Sequence, residues 1–296
     1  LITPGIIRDN LVLKHDYNTI GNIPVSDGAA YFGGGGTDVD DYINVDGVVS
    51  GLTTDSAFSL SCWFRSLDSG YDGGDDEHKE IIFSTHERTG SAANNKFLIG
   101  INVNNQDGPI GGIYTGQQNS DSGDVYRIYT DSSSSTGGTK YHNDKKWHHL
   151  VFTNASGDGS TASKVYIDGI ELTNAYNKTG TSQPSTHDFE WTDNTHASIG
   201  QEWDYVDSAH VTSDYFYGYI CNMGIWTKEL TQSETNSIMW KNYAGLTDTE
   251  KTSLVSWWNL DEAVGNSIGR VTSGIYKTQV LDNHGTFGDN LLVATS

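Results

Sequence analysis

Short runs of alternating apolar and polar residues, each bounded by Gly, Asn, Asp or Ser, occupy this chain almost from end to end. Side chains alternate across an extended backbone with period two, so each run predicts a strand with one buried face. The runs fall at 29–32, 42–45, 58–65, 80–84, 96–103, 125–129, 147–153, 164–167, 196–200 and 217–226. Asp168-Gly169, between Val165-Tyr166-Ile167 and Glu171-Leu172, is a hairpin signal. Many short strands with such turns predict an all-β chain, an antiparallel sandwich or barrel. The polar stretches at 68–79, 130–145 and 173–195 are expected to be long loops. The clearest helix signal is at 231–242, where Thr231 and Glu234 form a capping box ahead of Ile238 and Met239. Thr247 and Glu250 repeat that relation and predict a second short helix over 247–254.

Charge narrows the partners. Lys and Arg total 17 against 38 acids, a formal charge of -21. Binding a phosphate backbone requires cations that displace counterions, so nucleic acid is excluded as a partner, and anionic lipid surfaces are disfavoured. No apolar run is long enough to cross a bilayer. The chain opens at Leu1 rather than Met, which predicts residues upstream. Cys62 and Cys221 both fall on the apolar phase of strands; one bridge is geometrically open to them, and two buried thiols is the preferred reading. Asn154-Ala155-Ser156 and Asn177-Lys178-Thr179 match glycosylation acceptors, which matter only in a eukaryotic secretory setting.

The chemistry-bearing stretch is Ala197-Ser198-Ile199-Gly200-Gln201-Glu202-Trp203-Asp204. Glu202 and Asp204 lie on one side of an extended backbone. Paired oxygens at that spacing suit a hard cation such as calcium or the acid pair of a glycosidase. His148 and His149 are neighbours on a strand, point opposite ways and cannot chelate one ion; one is expected at the core edge and one at the surface. Gly33 to Gly36 lacks the Lys-Ser/Thr and helix of a phosphate loop and reads as a turn. The acids at 72–77 read as solvated. Tyr71, Tyr114, Trp191, Trp203 and Tyr205 are candidates for stacking on sugar rings or for packing under the loops.

The order of Phe58-Ser59-Leu60-Ser61-Cys62-Trp63-Phe64, Lys146-Trp147-His148-His149-Leu150-Val151-Phe152 and Val165-Tyr166-Ile167-Asp168-Gly169 resembles laminin-G-like jelly rolls. Phe216-x-Gly218-x-Ile220 and Ile225-Trp226-x-x-Glu229-Leu230-x-x-x-Glu234 are similar to the closing strand and helix of the same group, the concanavalin A-like lectin/glucanase superfamily. The resemblance covers roughly residues 28–245 and implies a two-sheet antiparallel jelly-roll sandwich with one or two short helices near the C-terminus. Residues 1–27 would then be an N-terminal arm, and 246–296 an extension packing on the jelly roll or on a neighbour, with Trp257, Trp258 and Leu260 covered.

Ile199-Gly200-Gln201-Glu202-x-Asp204 is most similar to the pentraxins. That implies one calcium site formed by Asn94, Asn95, Glu202, Asp204 and the carbonyl of Trp203. A second ion is not expected, because its ligands would be Val211 and Asp214. Trp203, Tyr205, Asp207 and Asp214 are the expected ligand-contacting residues. Glu202-Trp203-Asp204-Tyr205-Val206-Asp207 is also one substitution from the Glu-x-Asp-x-x-Glu motif of β-glucanases, although Glu202 and Asp207 point to opposite faces of a regular strand. The two ends, Asn10 to Asn18 and Ser256 to Glu262, resemble module openings in marine bacteriophage structural proteins. The expected function is a non-catalytic extracellular or virion-surface module that recognises a glycan or a protein with calcium-ordered loops. The alternatives are a purely structural decoration or fibre subunit, with self-assembly open, and a glucanase.

Overall fold

A computed structural model describes residues 24–26, 28–33, 35–36, 39–40, 42–52, 57–67, 79–87, 96–103, 110–119, 123–130, 142–155, 163–177, 191, 194–206, 209–261, 263–264, 267–268 and 270–271. In chain order the strands are β1 (Ala30–Gly33), β2 (Gly35–Gly36), β3 (Val39–Asp40), β4 (Ile43–Asn44), β5 (Phe58–Ser66), β6 (Lys79–Glu87) and β7 (Lys96–Asn102). Next come β8 (Ile113–Asn119), β9 (Gly123–Thr130), β10 (His148–Asn154), β11 (Ser163–Ile167), β12 (Ile170–Glu171), β13 (Asn174–Asn177) and β14 (Asn194–Ile199). The last are β15 (Glu202–Val206), β16 (Ala209–Ser213), β17 (Tyr217–Trp226), β18 (Leu254–Trp258), β19 (Ala263–Val264), β20 (Ser267–Ile268) and β21 (Arg270–Val271).

Two sheets face each other. The first runs β12-β11-β10-β5-β17-β1-β21, with β18 beside β1 along the same edge of β17; the second runs β13-β9-β8-β7-β6-β14-β4. Pairing within both is antiparallel except where β21 meets β1. This is the expected jelly-roll sandwich.

The alternation in β5 shows why. Phe58, Leu60, Cys62 and Phe64 turn inward and meet Val165, Ile167, Met223 and Ile225 in one core with Phe83, Phe97 and Ile99 of the second sheet. Each such side chain stabilises the fold by roughly 1.5–3 kcal/mol through burial. Cys62 and Cys221 are buried thiols, and burial pushes both up, Cys221 to about 12. Gly218 keeps β17 and β5 in register, because a Cβ there would collide with the Arg65 carbonyl.

The outer face of the first sheet is divided. Over one half lies the single α-helix of the described residues, α1 (Gln232–Ile238), with the segment that follows it. Val151 and Tyr166 from the sheet pack there with Trp226, Leu230, Ile238, Leu246, Leu254 and Trp257. The Thr231–Glu234 capping box forms as expected. So does the reciprocal pair at Thr247 and Glu250, but turns follow instead of the predicted helix. The chain must enter β18 at Leu254, and Lys241 draws the Glu250 carboxylate to its ammonium at 2.6 Å. Trp257, Trp258 and Leu260 are buried on this jelly roll, through β18.

Candidate functional site

The acidic motif sits on a hairpin absent from the strand expectations, β15 paired with β16. Gly200 launches it. Its φ of 93° suits glycine, and its N–H donates to Ile82 O while its carbonyl accepts from Phe216 N. Gln201 is anchored beneath, its Nε2 donating to Ser198 Oγ at 2.7 Å and its carbonyl accepting from Ser84 Oγ at 2.8 Å. Residues 202–206 and 209–213, outside every expected strand, therefore form a ladder, because β6 and β14 provide a base that no local pattern encodes.

Glu202 stands opposite Ser213, and the next residue, Asp214, closes back on the sheet. Asp214 adopts φ 47°, a left-handed conformation that Asp tolerates. Its carbonyl accepts from Ile81 N at 3.0 Å. The Glu202 carboxyl lies near enough to that of Asp214 to act on it. Burial, then the neighbouring Glu202 charge, push the Asp214 carboxyl well above the usual carboxylate range; Lys79 only partly offsets them. The Lys79 ammonium lies 3.7 Å from Asp214 Oδ2 and 5.1 Å from the centre of the Tyr114 ring. Close by, Ser66 Oγ donates to Glu80 Oε2 at 2.6 Å. The arrangement is a compact, partly neutralised carboxyl pair.

Of the expected site residues, Glu202 and Asp214 are brought near each other, although Asp214 was not among those expected at the first calcium site. Asp204 follows Glu202 by two along β15, and Tyr205 is the next residue of that strand. Asn94, Asn95 and Asp207 lie outside the described residues. Among the described residues no group of three or more His, Cys, Asp or Glu side chains converges as a metal would need. Trp203 is 9% exposed and spends its ring inside, stacked on His196 at 4.8 Å and edge-on to Tyr42. Trp191 and Tyr114 are likewise buried, so these aromatics serve packing rather than sugar stacking. Sequence reasoning missed Lys79. Its only signal was a lone cation at the end of an otherwise apolar run.

A second polar cluster lies at the start of β10. His148 Nδ1 is 2.9 Å from Asp168 Oδ2, and its Nε2 is 3.1 Å from Asp144 Oδ1. Carboxylates on both ring nitrogens require both to carry protons. Burial alone would lower this imidazole, but the hydrogen bonds to Asp144 and Asp168 raise it to about 9. His149 points the other way, buried, with Nε2 2.9 Å from Ser61 Oγ, and burial lowers it to about 3. The two rings diverge as expected.

Residues 35–236 match Laminin_G_3, of the Concanavalin A-like lectin/glucanases superfamily. The chain belongs to that family. No curated protein matches it. Among solved structures it is similar to the native heptameric SAP-like pentraxin of Limulus polyphemus, with 16% identity over 74% of this chain and 84% of that one and a TM-score of 0.43. The CBM40 of the Ruminococcus gnavus IT-sialidase shows 9% identity over 72% and 96%, with a TM-score of 0.46. Domain 4 of the Geobacillus stearothermophilus extracellular arabinanase AbnA, in complex with arabinotriose, shows 18% identity over 64% and 69%, with a TM-score of 0.36. These are likenesses of fold.

Proposed function

We propose that this chain is a non-catalytic glycan-recognition module of an extracellular or virion surface. Its β15–β16 hairpin would frame the binding loops, with calcium completing the Glu202 end. The observation that carries the non-catalytic reading is the crowding of Glu202 against the buried Asp214, which Lys79 approaches to 3.7 Å. A retaining glycosidase holds its carboxyls about 5 Å apart across the scissile bond, and an inverting one holds them further apart to admit water. Two crowded carboxyls, one of them paired with a lysine, argue against that arrangement. Membership of a lectin and glucanase superfamily supports the ligand class.

Calcium would be held by Glu202, Asp204, the Trp203 carbonyl, Asn94 and Asn95. The donor chemistry at Glu202 fits, since crowded carboxylate oxygens are what a hard divalent cation relieves. When bound it would supply a fixed positive charge. Glu202 would orient the hairpin entry, Lys79 would neutralise Asp214, and Trp203 would hold β15 against His196. Two measurements test the reading. Glycan-array binding, with and without chelator, should give defined sugar hits that weaken on chelation. Melting temperature should rise with free calcium, by about 2.7 kcal/mol of stabilisation at a hundredfold excess over Kd. A blank array together with a calcium-indifferent melting temperature would sink it.

A further inference from the structure

The uncovered half of the first sheet's outer face carries a row of side chains at one level across four neighbouring strands. Tyr31 in β1 stands opposite Tyr219 in β17, and Tyr219 stands opposite Arg65 in β5. His148 pairs with Phe64, so one step outward Trp147 stands opposite Arg65. Directly opposed residues share a face, and here it is the outer one, since their neighbours Phe32, Phe64 and Ile220 point into the core. The rings are in contact: Tyr31 and Tyr219 centroids are 5.1 Å apart, Trp147 and Tyr219 6.2 Å, and Tyr31 and Tyr217 6.5 Å. The Arg65 guanidinium lies 5.9 Å from the Tyr219 ring centre, while its Nε donates to Lys145 O at 2.8 Å.

Trp147 and Tyr219 pack in part against the core, but exposure distinguishes this row from the fully buried aromatics. Tyr31, Arg65, Trp147 and Tyr219 are all half-buried, and Tyr217 is 38% exposed. On the covered half of the same face, Trp63, Trp226 and Trp257 are at most 1% exposed. Contiguous aromatic surface left open on a folded domain marks an interaction site. Four strands about 4.8 Å apart set a platform roughly 14 Å long, which suits a chain of linked rings better than one small molecule.

We propose that this row is a second, metal-independent binding site for a polysaccharide of pyranose rings bearing carboxylates. Tyr31, Tyr219 and Trp147 present flat apolar faces to the C–H faces of the sugars. Arg65 is held edge-on by the Lys145 carbonyl, and its remaining N–H fork matches a carboxylate bidentately. Exposed Lys145 and Lys146 precede Trp147 at this end of the row, Lys146 paired with Asp144 at 2.7 Å, on a chain of net charge -21. The same net charge weighs most against a nucleic acid, whose duplex carries one phosphate charge per about 1.7 Å, a far denser array than one carboxylate per sugar ring. The acidic hairpin is a separate two-stranded sheet, and none of Tyr31, Arg65, Trp147 and Tyr219 belongs to it. The inference rests on the reading of the chain as a glycan-recognition module, and on neither that hairpin nor calcium.

The test is affinity electrophoresis of the full chain, in chelator, through gels holding alginate, polygalacturonate or a neutral glucan. The wild type should be retarded by a polyuronate more than by the glucan. Trp147→Ala with Tyr31→Ala should lose at least tenfold in affinity, Arg65→Gln should lose the polyuronate preference, and Tyr31→Phe should keep full binding. Melting curves confirm that each variant folds. Glu202→Gln with Asp204→Asn should leave this retardation unchanged, so the hairpin reading can fail without this one, and the converse. No retardation by a polyuronate, a preference for neutral glucan, or retardation indifferent to Trp147 and Tyr31 would overturn the proposal. So would self-association of the wild type that those two substitutions abolish, since the row would then be a protein interface.

Discussion

The two halves of the first sheet's outer face are built from the same strands, yet one half is core and the other is surface. On the covered half, Trp226 donates from Nε1 to Glu250 O, Trp63 to Met239 O, and α1 with β18 excludes water. On the other half, Tyr217, Tyr219 and Trp147 occupy equivalent outward positions with no helix above them among the described residues. An aromatic residue on the outward phase of a strand carries no label saying whether it will be roofed. The difference arises from where the chain after Trp226 is sent, and that is decided by α1, whose Thr231 cap, Lys228–Glu234 ion pair and Lys241–Glu250 ion pair fix the path back to Leu254.

Substitutions can break that contrast, and the largest effect should come from the covered half. Trp257→Ala should destabilise the fold by about 3–5 kcal/mol, because a fully buried indole leaves a cavity that packed neighbours cannot fill. Chemical denaturation reads it. If the loss were under 1 kcal/mol, the roof would be a loose lid and the two halves would not differ as claimed.

Next in size is His148, which follows Trp147 of the open half but turns to the opposite face, beside Phe64. Its pKa is raised from about 6.5 in the unfolded chain to about 9, so the clamp contributes fully below the lower value and is lost as pH rises through the upper one. The contribution is on the order of 2–3 kcal/mol. Melting temperature of the wild type minus that of His148→Gln should be positive at pH 6 and vanish near pH 10. A difference that stays constant across that range would show that the ring acts by packing alone.

Thr231→Ala removes the N-cap of α1 and should cost about 1 kcal/mol, while Thr231→Ser should cost little. That pair asks whether the roof is held by its own helix start or only by its tryptophans. Smallest of all, Tyr217→Ser on the open half should change stability by less than about 0.5 kcal/mol. A large loss there would mean the open half is packed after all.

The sandwich itself was legible because each strand carries its own evidence of burial. Phe58, Leu60, Cys62 and Phe64 alternate with Ser59, Ser61, Trp63 and Arg65, and an extended backbone converts that spacing directly into an inside and an outside. The cap at Thr231 was equally local, needing only Glu234 three residues on. Where local signals competed with a tertiary requirement, they lost. Thr247 and Glu250 formed their box, but the strand at Leu254 left no length for a helix. The acidic motif is legible, but nothing in its spacing announces that β16 returns Asp214 to the side of Glu202.

Alternation and turn chemistry therefore determined from the sequence alone the class of fold and the residues of its core. Only the tertiary structure decided which carboxylates lie near each other, that Lys79 reaches them, that Trp203 is enclosed by His196 and Tyr42, and that Tyr31, Tyr219, Arg65 and Trp147 share one level. The reason is range. Inside or outside is a property of neighbouring residues on one strand, whereas register, and the contact between side chains distant in sequence, exists only once the strands have paired.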